Sequence, residues 1–286
     1  MSEDQTSAAI TLRTIRRWVG QGEKIPVLTA YDATTARWLA RGGVPVLLVG
    51  DSAAQVVLGF EQTTHAPLSF MITITAAVKR GAPDCFVIGD MPFMSYQADD
   101  AEAIRNAGRF ITEGNADAVK LEVDQSYADL IGKMARASVP VMAHIGWRPQ
   151  NTQRTGVPIV AGRTQKKIDA LVDLARLMAD RGATMLLIEQ CTAETSAQIV
   201  DAVSIPVIGC GGGPACHGHV VILPDWMGMT DWHPTFVQPA TNGGEQLADL
   251  GRQWCELIRS GRYLKDDHPY KMNPPAVVAA EAAGQA

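Results

Sequence analysis

The sequence predicts an α/β protein: a single-domain (β/α)8 TIM barrel with an extra helix at its N-terminus. Three observations point there. Eight short, nearly continuous apolar runs are spaced along the chain. They alternate with stretches of helical periodicity. The length, 286 residues, is close to the roughly 250 typical of such a barrel. Runs such as VLLVGD (Val46–Asp51), CFVIGD (Cys85–Asp90) and MLLIEQ (Met185–Gln190) leave no polar face, which suits strands covered on both sides in a parallel sheet. Alternation with helices is the mark of βα repeats.

Taken in order, Thr11–Gln21 reads as an amphipathic helix ahead of the first strand, a plug for the bottom of the barrel. The expected strands are Pro26–Tyr31, Val46–Asp51, Cys85–Asp90, Ala118–Glu122, Pro140–Ile145, Met185–Gln190, Pro206–Gly211 and Val220–Asp225. Thr34–Arg41, Met71–Arg80, Ala98–Glu113, Ser126–Arg136, Gln165–Arg181 and Thr195–Val203 carry apolar residues at helical spacing. Gly42, Gly81, Gly114 and Gly182 each follow such a stretch and are expected as the left-handed residue that ends it. The aromatic and proline-bearing segment Asp225–Asn242 is expected as a packed loop or short helix. The barrel domain is expected over residues 1–272, followed by a loose Pro/Ala-rich tail over 273–286.

Composition narrows the function classes. The net charge is −5 and no Lys/Arg block occurs, which argues against nucleic acid or an anionic membrane as partner. No long uncharged apolar run is present to span a bilayer, and the N-terminus lacks the basic and apolar regions of a signal peptide. The five cysteines are scattered without a CxxC pair, as suits a reducing cytoplasm.

The chemistry is concentrated where strands end. Asp51 and Ser52 close the second strand, Asp90 the third, Lys120 and Glu122 the fourth, His144 the fifth and Glu189 the sixth. In a barrel these tips converge on the face that carries the active site. Carboxylates from three consecutive strands offer hard oxygen ligands, suited to Mg²⁺ or a similar ion. Each residue also has a plainer reading: an Asp after a strand often caps a helix, and a lone His often sits hydrogen-bonded in a core. Their common rim favours the functional reading. The glycine run Gly209–Gly213 is not a dinucleotide-binding fingerprint. Cys216, His217 and His219 are packed more tightly than common zinc spacings.

Seven strings carry a resemblance: LTAYDATTA (Leu28–Ala36), LLVGDS (Leu47–Ser52), VVLGF (Val56–Phe60), KRGAPDCFVIGDMPFMSY (Lys79–Tyr96), DAVKLE (Asp117–Glu122), AHIGWRPQ (Ala143–Gln150) and IPVIGCGGGPACHGHV (Ile205–Val220). Together the chain resembles the ketopantoate hydroxymethyltransferase family from about Thr11 to Tyr263. The resemblance implies a homodecamer of barrels, with Asp51, Asp90 and Glu122 as metal-site carboxylates. It implies Ser52, Lys120 and His144, beside Asp51 and Asp90, as holders of a small 2-oxo acid, and Glu189 as base. It implies a divalent metal such as Mg²⁺ and 5,10-methylenetetrahydrofolate as co-substrate, with hydroxymethyl transfer to 3-methyl-2-oxobutanoate in pantothenate biosynthesis. The chain departs from the family's pattern at Trp147 and Arg148, at Val123 and Asp124, at Gln190, and at His217 and His219, where Asp and Gln are usual. Those departures keep two alternatives open: a divergent paralogue, or an enzyme like phosphoenolpyruvate mutase or isocitrate lyase, acting on another 2-oxo acid. An inactive scaffold subunit is the alternative of a different class.

Overall fold

The computed structural model of the chain describes residues 9–265 and 269–270. The chain divides into two compact units, one ending at Thr241 and the other beginning at Asn242. The expected tail over 273–286 lies outside the described residues.

The first unit is a closed barrel of eight parallel strands in sequence order: β1 Ile25–Thr29, β2 Val46–Val49, β3 Phe86–Asp90, β4 Ala118–Glu122, β5 Val141–Gly146, β6 Met185–Glu189, β7 Val207–Cys210 and β8 Gly218–Val221. Pairing of β1 with β8 closes it, with Val27 beside Val220. Helices α1 Leu12–Gly20, α2 Ala33–Arg41, α3 Ala53–Val56, α4 Leu68–Gly81, α5 Asp100–Thr112, α6 Ala128–Arg136, α7 Thr152–Thr155, α8 Gln165–Asp180, α9 Ala193–Ala202 and α10 Leu223–Trp226 fill the connections. Helix starts are set by local chemistry. Asp32 accepts from the N–H groups of Thr34 and Thr35 ahead of α2, and Asp99 from Glu102 ahead of α5, each satisfying amides that have no partner within the helix.

Successive strand residues face opposite sides, and this splits the core in two. Val46, Leu48, Phe86, Ile88, Met142, Met185, Leu187 and Ile208 fill the interior. Leu47, Val49, Val87, Val119, Leu121, Val141, Ile145 and Leu186 pack outward with the helices. Helix α1 is the expected plug: Ile15 is 1% exposed and joins the interior cluster, with Ile10, Leu12, Trp18 and Val19 packed against it.

Three expectations are corrected. The eighth strand begins two residues earlier than expected and stops at Val221. A Cβ at Gly218 would lie 2.2 Å from the Ile25 carbonyl oxygen, so only glycine allows the closing pair to approach here, and Pro224 in α10 cannot extend the ladder. Asp225 consequently sits on α10, not on a strand. Of the four glycines expected to end helices in the left-handed region, only Gly182 does so, at φ +99°. Gly43 and Asn115 take that conformation after α2 and α5. Gly81 remains helical, and a Cβ there would meet the Ala33 backbone. The second unit holds a helix that the strand-and-helix reading passed over, α11 Gly243–Arg259. It shows exposed Leu247, Leu250, Trp254 and Ile258 at the spacing of one helical stripe.

The plug is testable. Ile15→Ala removes a buried side chain from a packed interior and should cost about 2–5 kcal/mol in denaturant unfolding. A loss below about 0.5 kcal/mol would place α1 outside the cooperative core.

Candidate active site

The alternation that builds the barrel core also builds the site. Asp90 continues the inward set Phe86 and Ile88, Lys120 and Glu122 continue Ala118, His144 continues Met142, and Glu189 continues Met185 and Leu187. Strand register aligns these tips across neighbouring strands: Asp90 beside Lys120, Glu122 beside His144, Glu189 beside Cys210. Asp51 and Ser52 follow β2 in the turn that opens α3. The result is a cavity of about 290 Å³ lined by Asp51, Ser52, Asp90, Lys120, His144 and Glu189, with Thr29, Trp147 and Cys210 in its wall. Glu122 lies behind this surface, 4% exposed.

One ammonium serves several carboxylates. Lys120 Nζ lies 2.5 Å from Asp90 Oδ2, which also accepts the Asp51 N–H at 3.0 Å. Burial disfavours the ammonium, but Asp90, Asp51 and Glu122 together outweigh it and hold its pKa above the ordinary lysine value. Burial pushes the Asp90 carboxyl up to about 7 despite Lys120. Burial, reinforced by Asp51, holds Glu122 well above the usual carboxylate range. Glu189 reaches about 8, through burial first, with Lys120 opposing and Asp51 adding. Burial, then the charge of Lys120, drives His144 well below its ordinary value, so its imidazole is neutral. Its Nε2 is 3.3 Å from Glu189 Oε2 and its Nδ1 3.9 Å from Glu122 Oε1. Neither ring nitrogen has a hydrogen-bond partner among the described residues.

Gln150, from the loop after β5, ties the carboxylates together. Its side-chain Nε2 donates to Asp51 Oδ2 at 2.9 Å and to the Met91 carbonyl at 3.1 Å. Its Oε1 accepts from the Tyr96 hydroxyl at 2.8 Å and from Gln97 Nε2 at 2.9 Å. Its backbone N–H reaches both oxygens of Glu122, at 3.2 and 3.1 Å. Every donor and acceptor of this amide is used. The Ser52 hydroxyl is held at 2.8 Å by that of Tyr31. Gln150, Tyr96 and Tyr31 are not among the site residues expected from the sequence; the available signal is that all three lie inside the strings that run through strands one, three and five.

The oxygen-rich donor set fits a hard divalent cation. Several buried carboxylates face one lysine, and Asp90 Oδ1 is buried with no partner among the described residues. No group of three His, Cys, Asp or Glu among the described residues forms a ready-made cage. Asp51 and Asp90 open on the cavity, and Mg²⁺ commonly takes one or two carboxylates and completes its shell with water and substrate oxygens. The departures at His217 and His219 lie elsewhere: His217 Nδ1 accepts the Val207 N–H at the start of β7, and His219 is exposed on β8. Trp147, Gln190 and Cys210 are the departures and neighbours that do line the cavity.

A profile of ketopantoate hydroxymethyltransferase matches residues 9–266. The chain is 38% identical to a 3-methyl-2-oxobutanoate hydroxymethyltransferase of Clostridium novyi (strain NT), covering 92% of this chain and 96% of that one. It is 39% identical to the protein of that name from Thermotoga sp. (strain RQ2), covering 87% and 92%. Its fold is similar to 2,3-dimethylmalate lyase, a PEP mutase/isocitrate lyase superfamily member, at TM-score 0.59 and 18% identity, covering 88% and 89%. It is also similar to phosphonopyruvate hydrolase in complex with oxalate and Mg²⁺, at TM-score 0.59 and 12% identity, covering 92% of each chain.

The Gln150 network has a measurable weight. Gln150→Leu leaves Asp51 Oδ2 and the Tyr96 and Gln97 donors without their partner in a buried setting, which should cost about 1–3 kcal/mol of unfolding free energy. A variant as stable as wild type would show that these carboxylates are held by something else.

Proposed function

The chain belongs to the ketopantoate hydroxymethyltransferase family and is an enzyme of that kind, and from this premise we propose that it transfers a hydroxymethyl group from 5,10-methylenetetrahydrofolate to 3-methyl-2-oxobutanoate. The observation that carries the reading is the placement of Glu189 in one cavity with Asp51, Asp90, Lys120 and a neutral His144. A divalent cation held by Asp51 and Asp90, with Glu122 behind them, would supply Lewis acidity to the keto oxygen.

The remaining work falls to side chains. The Lys120 ammonium offsets negative charge on the bound 2-oxo acid. Ser52 offers a hydroxyl fixed by Tyr31. The unpartnered nitrogens of His144 give the substrate a neutral donor and acceptor where a charged imidazolium would be costly to bury. Glu189 removes the proton on C3, and the C–H electron pair becomes the enolate. That carbon then forms a bond to the methylene of the folate, the methylene's bonds to nitrogen are broken, and water supplies the hydroxyl oxygen, releasing tetrahydrofolate and 2-dehydropantoate. Burial around Glu189 suits it to this role, because a base with a raised pKa takes a carbon-bound proton more readily.

Incubation with Mg²⁺, 3-methyl-2-oxobutanoate and methylenetetrahydrofolate should yield 2-dehydropantoate by mass spectrometry; folded protein that yields none refutes the reading. A second reading, a related 2-oxo acid as substrate, is favoured by one observation: Trp147, where the family's pattern has a smaller residue, is 4% exposed in the cavity wall. Higher kcat/KM for a 2-oxo acid of different bulk would select it.

No helix of the described residues is long and apolar enough to cross a membrane. We further propose a cytoplasmic homodecamer. The exposed stripe Leu247, Leu250, Trp254 and Ile258 on α11 supports association, since such stripes are commonly covered by a partner. Light scattering should give about ten chain masses, and a monomer mass at working concentration would overturn the proposal.

The base assignment predicts a pH profile. Glu189 acts as its carboxylate, so with its pKa near 8 kcat/KM for C3 deuterium exchange should rise about tenfold per pH unit and level off above pH 8. Glu189→Gln should bind the keto acid by calorimetry yet exchange roughly 10²–10⁴-fold more slowly. Normal exchange in the folded variant would remove Glu189 from the mechanism.

A further inference from the structure

The polar tips divide the rim unequally. Asp51, Asp90, Lys120, Glu122, His144 and Glu189 occupy the sector from β2 to β6. The remaining sector, from β7 through β8 to β1, places no such group at a strand tip. Its cavity wall is Cys210, Val220, Val221 and Ile222, and the segment after β8 adds Trp232, Pro234 and Phe236. One carboxylate faces this apolar sector. Asp225, on α10, lines the cavity and is 6% exposed. Its Oδ1 accepts the Thr230 hydroxyl at 2.8 Å, and its Oδ2 has no donor among the described residues. The helix that carries it is pinned to β1, because the Leu223 N–H donates to Thr29 Oγ1 at 2.9 Å. Asp225 therefore has a fixed position. It shares the cavity with Glu189 and Cys210.

His233 is near enough to act on the Asp225 charge, and the second carboxylate oxygen is left to accept from N–H groups of a ligand in this largely apolar wall. Trp232 lines the same cavity with 72% of its surface exposed, so its ring is available to a flat ligand. An incoming carbon electrophile must approach the enolate from the sector that the 2-oxo acid and its holders leave open. We propose that Asp225, Trp232 and the wall between them form the subsite for the flat head of the one-carbon carrier, a reduced pterin, with Asp225 accepting its adjacent ring N–H and amino N–H and Trp232 lying against a ring face. This assignment rests on the folate-dependent reading given above.

The plainer alternative is that Asp225 serves only its own turn, through Thr230. Asp225→Asn separates the two. The amide oxygen still accepts from Thr230, but an N–H group replaces the acceptor that would face the pterin donors. Tetrahydrofolate affinity by anaerobic calorimetry should fall about 10–100-fold, as for loss of a charge-assisted pair, with an unchanged thermal midpoint confirming the fold. In wild type, a tetrahydrofolate analogue whose 2-amino group is replaced by methyl should lose affinity in the same range, and the variant should discriminate far less between the two. Trp232→Ala, at an exposed position, should weaken binding about 3–10-fold. Wild-type binding of tetrahydrofolate with equal affinity in Asp225→Asn would overturn the subsite and leave the folate reading standing. Wild-type protein that exchanges C3 deuterium but binds no tetrahydrofolate would overturn both.

Discussion

In a closed eight-stranded barrel each strand presents every second residue to the interior, and nearly everything at this site depends on that alternation. Asp90, Lys120, Glu122, His144 and Glu189 share the inward parity of Phe86, Ala118, Met142 and Met185. A one-residue slip in any strand would turn its polar tip outward among the helices and its outward apolar set inward. The apolar layers below therefore fix the chemistry above. They supply the free energy that holds the register, and α1, through Ile15, seals the opposite end. Charged groups this deeply buried persist because the scaffold leaves them nowhere else to go.

Their electrostatics show which effect dominates. Asp90, Glu122 and Glu189 all have raised carboxyl pKa values, and burial is the first cause for each. Lys120 opposes those rises without reversing them. A buried ion pair such as Lys120–Asp90 contributes little net stability relative to an apolar replacement, because the desolvation cost offsets the attraction. The cluster is better understood as a functional charge distribution than as a stabilising one. Gln150 makes it tolerable. It neutralises no charge, but it gives directed hydrogen bonds to Asp51 and Glu122 that water would otherwise provide. The buried side-chain atoms without a partner among the described residues, Thr63 Oγ1, Asp90 Oδ1 and the two His144 nitrogens, all belong to residues that line the cavity.

What could be read from the sequence follows from the same physics. Strands two to seven were legible to within a residue or two because a strand covered on both faces has a composition that few other local structures share. The polar tips were legible because they interrupt those runs. The eighth strand was misplaced by two residues, since the Gly218 requirement is a contact with Ile25, distant in sequence. The helix-ending glycines failed for a related reason: Gly81 answers to a neighbouring helix at Ala33, a constraint that local turn chemistry does not contain. Gln150, Tyr96 and Asp225 lie beyond strand ends, where no periodicity marks which side chain turns inward. His217 and His219 stand out as departures from a motif, yet the His217 ring just ahead of β8 accepts the Val207 N–H and His219 is exposed on β8.

The short link between β7 and β8 has a further consequence. Elsewhere a helix covers the return from rim to base, but residues 211–217 make that return without one. The chain therefore reaches β8 early, and the segment from α10 to Phe236 is free to fold over the rim instead of over the flank. That segment brings Asp225, Trp232 and Phe236 to the cavity, on the side where strands β7, β8 and β1 end in apolar or small residues. The transfer proposed above would need two environments within reach of one another: a polar one to stabilise a developing enolate, and a drier one to hold a flat carrier against it. Here the first is written in the strands, where register fixes it to within a fraction of a residue. The second would fall to a loop and a four-residue helix held to β1 by the Leu223–Thr29 hydrogen bond, which is where a site can change its partner without disturbing the barrel.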